Sequence, residues 1–230
     1  QRDTFVHEEL AIVLSRFDIG PIESIQDFRR GSRRSPKLLI KAADGLFLLK
    51  RRAPGRDESE RVDAAHAVQN YLASHQFPVP RLIATRHDDD TALRLGGRVY
   101  ELFEFIPGSR YDASLPATTE AGHTLALFHK IISGFHGAPP SHHPHGYHAL
   151  SGIAEALDHI PRDTRIDHPG IADLCAELRD LYAQSSEKAD KLGLREWPRQ
   201  IVHGDWHPGN TLYRGQRLVA VIDFDGVRPE

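Results

Sequence analysis

Methionine is absent from the 230 residues, and cysteine occurs once, at Cys175. A single thiol excludes an internal disulfide and suits a reducing compartment. No apolar run approaches the ~20 residues needed to span a bilayer, and no basic-then-apolar leader opens the chain. Neither sign of charge dominates, since 29 Lys and Arg stand against 32 Asp and Glu. That balance supplies no global attraction to nucleic acid or an anionic membrane. The expectation is a cytoplasmic protein with neither as a partner. With no methionine, Gln1 does not read as a native start, and the chain stops at Glu230 directly after its most polar motif. Residues are expected beyond both ends.

What is present organises into two halves. Phe5, Leu10, Val13, Leu14 and Phe17 suit a short amphipathic helix over 4–17. "PKLLIKAADGLFLLKRR" predicts two strands joined at Asp44-Gly45. Asp57 or Ser59 can cap a following helix with Val62, Ala65, Val68 and Leu72 on one stripe, and Pro78 and Pro80 end it. Further strands follow, with turn chemistry at Asp88, Asp89 and Asp90 and at Gly96-Gly97, before "RVYELFEFIPG". Helical spacing then takes over. It runs through Ala121, Leu125, Phe128 and Ile132, through "SGIAEALDHI", and through Ile171, Leu174, Leu178 and Leu181. Strand signals return only at Ile201. Segregated strands and helices predict an α+β fold of two lobes, 1–103 and 104–230.

The chemistry concentrates in "IVHGDWHPGNTLYRGQRLVAVIDFDG", residues 201–226. Asp205 and Asn210 are five positions apart, and "NTLY" and "RLVAVIDF" form a hairpin about Arg214-Gly215-Gln216 that returns Asp223 beside Asn210. This arrangement suits phosphoryl transfer. One carboxylate accepts the proton of an attacking hydroxyl, while an amide oxygen and a second carboxylate hold Mg²⁺ on the nucleotide phosphates. Taken singly, each residue could merely satisfy turn backbone; the ordered set is far more restrictive.

"HGDWHPGN" followed by "IDFD" resembles the aminoglycoside phosphotransferase and choline kinase group, which includes a class of homoserine kinases. The resemblance extends from about Gly31 to Asp225. It implies a two-lobed protein-kinase-like fold, with an antiparallel-sheet nucleotide-binding N-lobe and a mainly helical catalytic C-lobe, cut short at its C-terminal end. It also implies ATP and Mg²⁺ as cofactors and a small-molecule hydroxyl as acceptor. Asp205 would be the catalytic base, Asn210 and Asp223 Mg²⁺ ligands, and Asp225 a further metal or water contact. His203 and His207 would shape the loop. Gly204 stands where protein kinases carry an arginine tied to activation-loop phosphorylation, which disfavours a regulated protein kinase.

The first half should then supply the nucleotide site. Lys50, ending the strand "GLFLLK", is placed to reach the α and β phosphates. "RRGSRRSPK" is the candidate loop over them, with Gly31 permitting close approach and Ser32 and Ser35 donating hydrogen bonds. Its arginines could equally be solvated, and "RRGS" could be a basic phosphorylation site. "YELFEFIPG" resembles the hinge, where backbone groups of Phe103, Glu104 and Phe105 would hydrogen-bond adenine. The family usually places a glutamate in the helix after the lysine. Near Ala65 and His66 none stands; Glu58, Glu60 and Asp63 lie toward the helix start, and His66 could hydrogen-bond within the site instead.

That departure keeps a catalytically silent nucleotide-binding or scaffold protein as an alternative. A metallophosphoesterase is a second, since "GDWHPGN" superficially resembles its motifs, but the early Asp-x-His and later Asn-His segments are missing. His129, on the apolar helix face, reads as structural. His142, His143, His145 and His148 read as a substrate-side loop in preference to a zinc site. The lack of a broad acidic cluster lowers the case for a polycationic aminoglycoside acceptor.

Overall fold

The computed structural model describes residues 3–137 and 150–230. These divide into two compact units, one of 3–137 with 200–229 and one of 150–199. The histidine-rich segment 142–148 lies outside the described residues.

The first unit is built on a five-stranded, wholly antiparallel sheet in the order β1-β2-β3-β5-β4. Its strands are β1 (Ile22–Asp27), β2 (Lys37–Ala42), β3 (Gly45–Arg51), β4 (Leu93–Leu95) and β5 (Arg98–Glu104). Alternation along each strand sorts the side chains onto two faces. Leu38, Ile40, Phe47, Leu49, Tyr100 and Leu102 form one apolar layer. Helix α1 (His7–Leu14) covers that layer, contributing Val13 and Leu14 with Phe17 and Ile19 beyond it. The expected β2–β3 hairpin forms, but its two-residue loop is Ala43-Asp44, because Ala42 pairs with Gly45. The Gly96-Gly97 turn joins β4 and β5, with both residues at positive φ as a tight hairpin of this hand requires.

Helix α2 (Ser59–Ser74) lies against the other sheet face. The predicted stripe of Val62, Ala65, Val68 and Leu72 is buried as expected. Neither proposed cap serves it: Glu58 is the N-cap residue without a side-chain bond, and the Asp57 carboxylate instead accepts from Gly55 N–H. Val68 and Leu72 continue into a second core with Phe77, Val79, Phe128, Ile132, Tyr213, Leu218, Val221 and Phe224. Helix α3 (Leu115–Ile132) supplies Phe128 and Ile132, and Ser114 caps its N-terminus by accepting from Ala117 N–H at 3.3 Å. Its buried positions are Ala117, Thr124, Phe128 and Ile132, while His129 sits half-buried against Phe128, in keeping with a structural reading.

After residue 200 the chain returns to this unit as β6 (Ile201–Val202), the hairpin β7 (Thr211–Arg214) and β8 (Arg217–Val221), and β9 (Arg228–Pro229), which pairs with β6. Gly215-Gln216 is the hairpin loop, within the turn expected from sequence. The second unit holds α4 (Ser151–His159) and α5 (Ile171–Lys191). The predicted stripe on α5 faces outward: Leu174, Leu178 and Leu181 are exposed, and Cys175 is the buried position. Trp197 follows, largely exposed. No helix among the described residues is long and apolar enough to cross a membrane.

Candidate active site

A cavity of about 560 Å³ opens within the first unit, between the sheet face opposite α1, helix α2 and the β7–β8 hairpin. Lys50, Glu101, Asn210, Asp223 and Asp225 all line it.

The loop between β6 and β7 is held by its own backbone and by buried histidine. His203 is almost fully buried; its Nε2 donates to Ile222 C=O at 3.1 Å and its Nδ1 accepts from Asp205 N–H at 3.3 Å. Those two bonds require one neutral tautomer, and burial holds the imidazole below its ordinary pKa despite the carbonyl, Asp223 and Asp205. His207 Nδ1 accepts from Gly209 N–H at 3.0 Å, so the predicted loop-shaping by both histidines is visible as hydrogen bonds. Trp206 packs against His203 and Phe128. A 3₁₀ turn over Pro208–Asn210 swings Asn210 back onto Asp205. The Asn210 amide donates to Asp205 Oδ2 at 2.9 Å and to Asp205 C=O at 3.0 Å. With the amide nitrogen so engaged, the carbonyl oxygen is the side-chain atom that could hold a metal ion.

The hairpin closes as predicted. Ile222 N–H donates to Asn210 C=O at 2.9 Å, which locks the residue before Asp223 to the Asp205 loop. Asp223 adopts φ +67, a left-handed conformation that aspartate tolerates better than most residues. Its carboxylate is half exposed and 4.0 Å from Lys50 Nζ. Gly204 also has positive φ, +75, and its α-carbon packs directly on the backbone of Gly226.

Asp225 does not stand ready for a metal. Both its oxygens accept from Lys50 Nζ, at 3.0 and 2.9 Å, and Oδ1 also meets Arg52 at 2.9 Å. Arg61 donates to its backbone carbonyl at 3.2 Å. Asp225 is thus the anionic anchor of a cationic cluster in this arrangement. Asn210 Oδ1 and the Asp223 carboxylate remain the hard oxygen donors a Mg²⁺ ion takes.

Lys50, near the end of β3, and Arg52, just beyond it, project to the same sheet face, and Glu101 lies opposite Lys50 on β5. Glu101 is fully buried. Its Oε1 accepts from Arg52 at 2.6–2.8 Å and meets His66 Nε2 at 2.6 Å, while its Oε2 is 3.5 Å from Lys50 Nζ. Burial alone would raise its pKa, but Lys50, the His66 hydrogen bond and Arg52 hold it well below the usual carboxylate range. The Lys50 pKa moves the other way: burial would lower it, but Glu101 and Asp225 raise it more, against the opposing charge of Arg52.

Among the expected nucleotide contacts, Lys50, Gly31, Phe103, Glu104 and Phe105 line the cavity. Ser32 and Ser35 do not. Ser35 is buried and donates to Arg51 C=O at 2.8 Å, because β2 enters the sheet beside β3 at that point. Ser32 accepts from Arg34 N–H within its own exposed loop. Two of the hinge donors are also spent inside the fold, with Glu104 N–H on Arg81 C=O and Phe105 N–H on Leu46 C=O. Ile106, unremarked in the sequence, lines the cavity next, and its N–H donates to nothing among the described residues. Glu101, Arg52 and Arg61 were missed as well. A lone glutamate inside "VYELF" and a run of three cations closing an apolar strand are the signals that could have found Glu101 and Arg52, while Arg61 carries none.

The family model described as "Phosphotransferase enzyme family" matches residues 24–229. Among curated relatives, a homoserine kinase of Zymomonas mobilis is 26% identical over 222 residues, covering 94% of this chain and 64% of the relative. One from Parvibaculum lavamentivorans is 28% identical over 230 residues, covering 94% and 63%. The chain therefore spans less than two thirds of those relatives. An amicoumacin kinase solved with AMP-PNP and Ca²⁺ superposes with a TM-score of 0.72 at 14% identity, over 98% of this chain and 66% of that one. A spectinomycin phosphotransferase solved with ADP and spectinomycin gives 0.65 at 14% identity, over 99% and 71%. The kinase-like fold expected from the sequence is thus the observed one.

Proposed function

The chain belongs to the phosphotransferase enzyme family, and from that premise we propose that it transfers the γ-phosphoryl group of ATP to a hydroxyl of a small molecule. The observation that carries this reading is the convergence of Lys50, Asn210 and Asp223 on one cavity, with Asp205 hydrogen-bonded to Asn210 at its edge. Asp205 accepts the proton of the acceptor hydroxyl. Asn210 holds that carboxylate in register through its amide N–H. Lys50 neutralises phosphate charge, and the backbone at Ile106, with the rings of Phe103 and Phe105, forms the adenine slot. Asn210 Oδ1 and Asp223 would hold Mg²⁺, which when bound offsets charge on the β and γ phosphates.

The acceptor is a small hydroxyl compound. The lobe up to residue 103 supplies Lys50 and the sheet face to the nucleotide, and the lobe from 104 supplies the catalytic base, the metal ligands and the Ile106 end of the adenine slot. Balanced charge and the single cysteine favour a cytoplasmic setting without nucleic acid or membrane as partner. Calorimetry of Mg²⁺-ATP binding to the chain and to its Asp223→Ala variant tests the reading. Binding that weakens by about tenfold or more in the variant is expected, from the loss of a charged ligand. No binding by the folded parent chain refutes it.

A further inference from the structure

We infer that Glu101, on strand β5, is the residue that holds Lys50 toward the phosphates, in the role that related kinases give to a helix glutamate. The inference rests on the nucleotide-binding reading above. Lys50 and Glu101 are direct cross-strand partners, so the sheet itself fixes their spacing. Glu101 Oε1 is fully engaged by Arg52 and His66, and His66 is in turn fixed by Thr91 Oγ1 at 2.8 Å. The carboxylate therefore cannot rotate. Its other oxygen, Oε2, is buried and makes no hydrogen bond among the described residues, although Lys50 Nζ stands 3.5 Å away.

An orphaned buried carboxylate oxygen costs free energy unless some state of the protein uses it. Lys50 currently gives two of its hydrogens to Asp225. When phosphate oxygens compete for those hydrogens, Oε2 is the fixed acceptor that keeps the ammonium in place. The helix offers no substitute. Glu58, Glu60 and Asp63 are exposed, and Asp63 is paired with Arg94. At the position where an acid was sought, α2 presents His66, which acts on Lys50 only through Glu101. Glu101 is thus a positioning residue set by the sheet and by Arg52, with His66 of α2 as its third contact.

The test is ADP affinity measured by calorimetry in EDTA, where the metal ligands contribute nothing. Glu101→Gln keeps the side-chain shape and removes the charge. It should weaken ADP about tenfold or more, as expected for the loss of a charge-assisted hydrogen bond. Glu9→Gln is the control: Glu9 is a partly buried carboxylate paired with Arg51 on the opposite sheet face, and its variant should lose stability yet keep the parent's affinity. If Glu101→Gln does not fold, Glu101→Asp carries the test, since it retains the charge and draws the carboxylate back by one methylene. Unchanged ADP affinity in the folded variant overturns the inference alone. An equal loss in Glu9→Gln also overturns it, by making the effect one of general destabilisation. Failure of the parent chain to bind nucleotide overturns the function and this inference together.

Discussion

Gly204→Ala should damage the protein more than any other single-methyl addition near the site. The residue sits at φ +75, where an L side chain costs about 1–2 kcal/mol. A β-carbon there would lie 2.8 Å from the Gly226 carbonyl carbon and closer still to its oxygen. Ordinary contact needs roughly 3.5 Å, so one of the two backbone segments must retreat. That shift would disturb the Arg228 guanidinium, which bonds Gly204 C=O at 3.1 Å and Gly226 C=O at 3.3 Å. Overpacking of this kind adds about 1–3 kcal/mol, for a total of about 2–5 kcal/mol against a typical domain stability of about 5–15 kcal/mol. Urea denaturation of parent and variant measures the loss directly. Because Gly204 precedes Asp205 and Gly226 follows Asp225, nucleotide affinity should fall as well. A stability loss below about 1 kcal/mol with unchanged affinity would refute the claim that these two glycines are locked together.

Asp205→Asn should abolish ADP release with any acceptor while leaving ATP affinity within a few-fold of the parent; retained turnover removes Asp205 as the base. Lys50→Ala should weaken ATP binding and also destabilise the fold by about 1–3 kcal/mol, because it removes one of the two cations facing buried Glu101 and leaves Arg52 as the other, and chemical denaturation separates the two effects. His203 has a folded pKa below its unfolded value, so the unfolded chain gains a proton first. Stability should be fully present above about pH 6.5 and decline on acidification by up to about 1.4 kcal/mol per pH unit; His203→Gln should flatten that slope. Glu9 titrates near 2 in the folded protein: burial would raise it, but Tyr100, Arg51 and Val6 N–H lower it more. Its contribution is present above about pH 4.5 and is lost as pH falls toward 2, so Glu9→Gln should remove part of the acid limb of a stability–pH profile.

The loop of the candidate site was legible because its parts are neighbours in sequence: Asp205, Asn210 and Asp223 are joined by a six-position loop and one hairpin, and hairpin closure needs only local turn chemistry. The sheet and α2 were legible from periodicity. Strand β1 was not, because Ile22–Asp27 is an almost wholly exposed edge strand with no alternating pattern to read. The partners of Lys50 were hidden for a different reason. Glu101 and Asp225 stand 51 and 175 positions away, and only register across β3–β5 and the fold of the hairpin bring them in. Ser35 illustrates the converse. A serine in a basic loop has the right chemistry for phosphate, yet strand register had already assigned its hydroxyl to Arg51 C=O. Side-chain identity restricted what each residue could do, and long-range register decided which of those things it does.

The chain has only two tryptophans, one exposed and one partly buried. Trp197 is 64% exposed, so its emission should lie to the red and yield to iodide. Trp206 is edge-on to His203 at 5.7 Å and near Phe128, inside the loop that carries Asp205. Trp206 is partly buried, so its emission should lie to the blue of that of Trp197 and be quenched less by iodide, a built-in reporter of that loop. An imidazolium quenches a neighbouring indole where a neutral imidazole does not, so protonation of His203 should appear as a fall in this blue component on acidification, recorded without any added label.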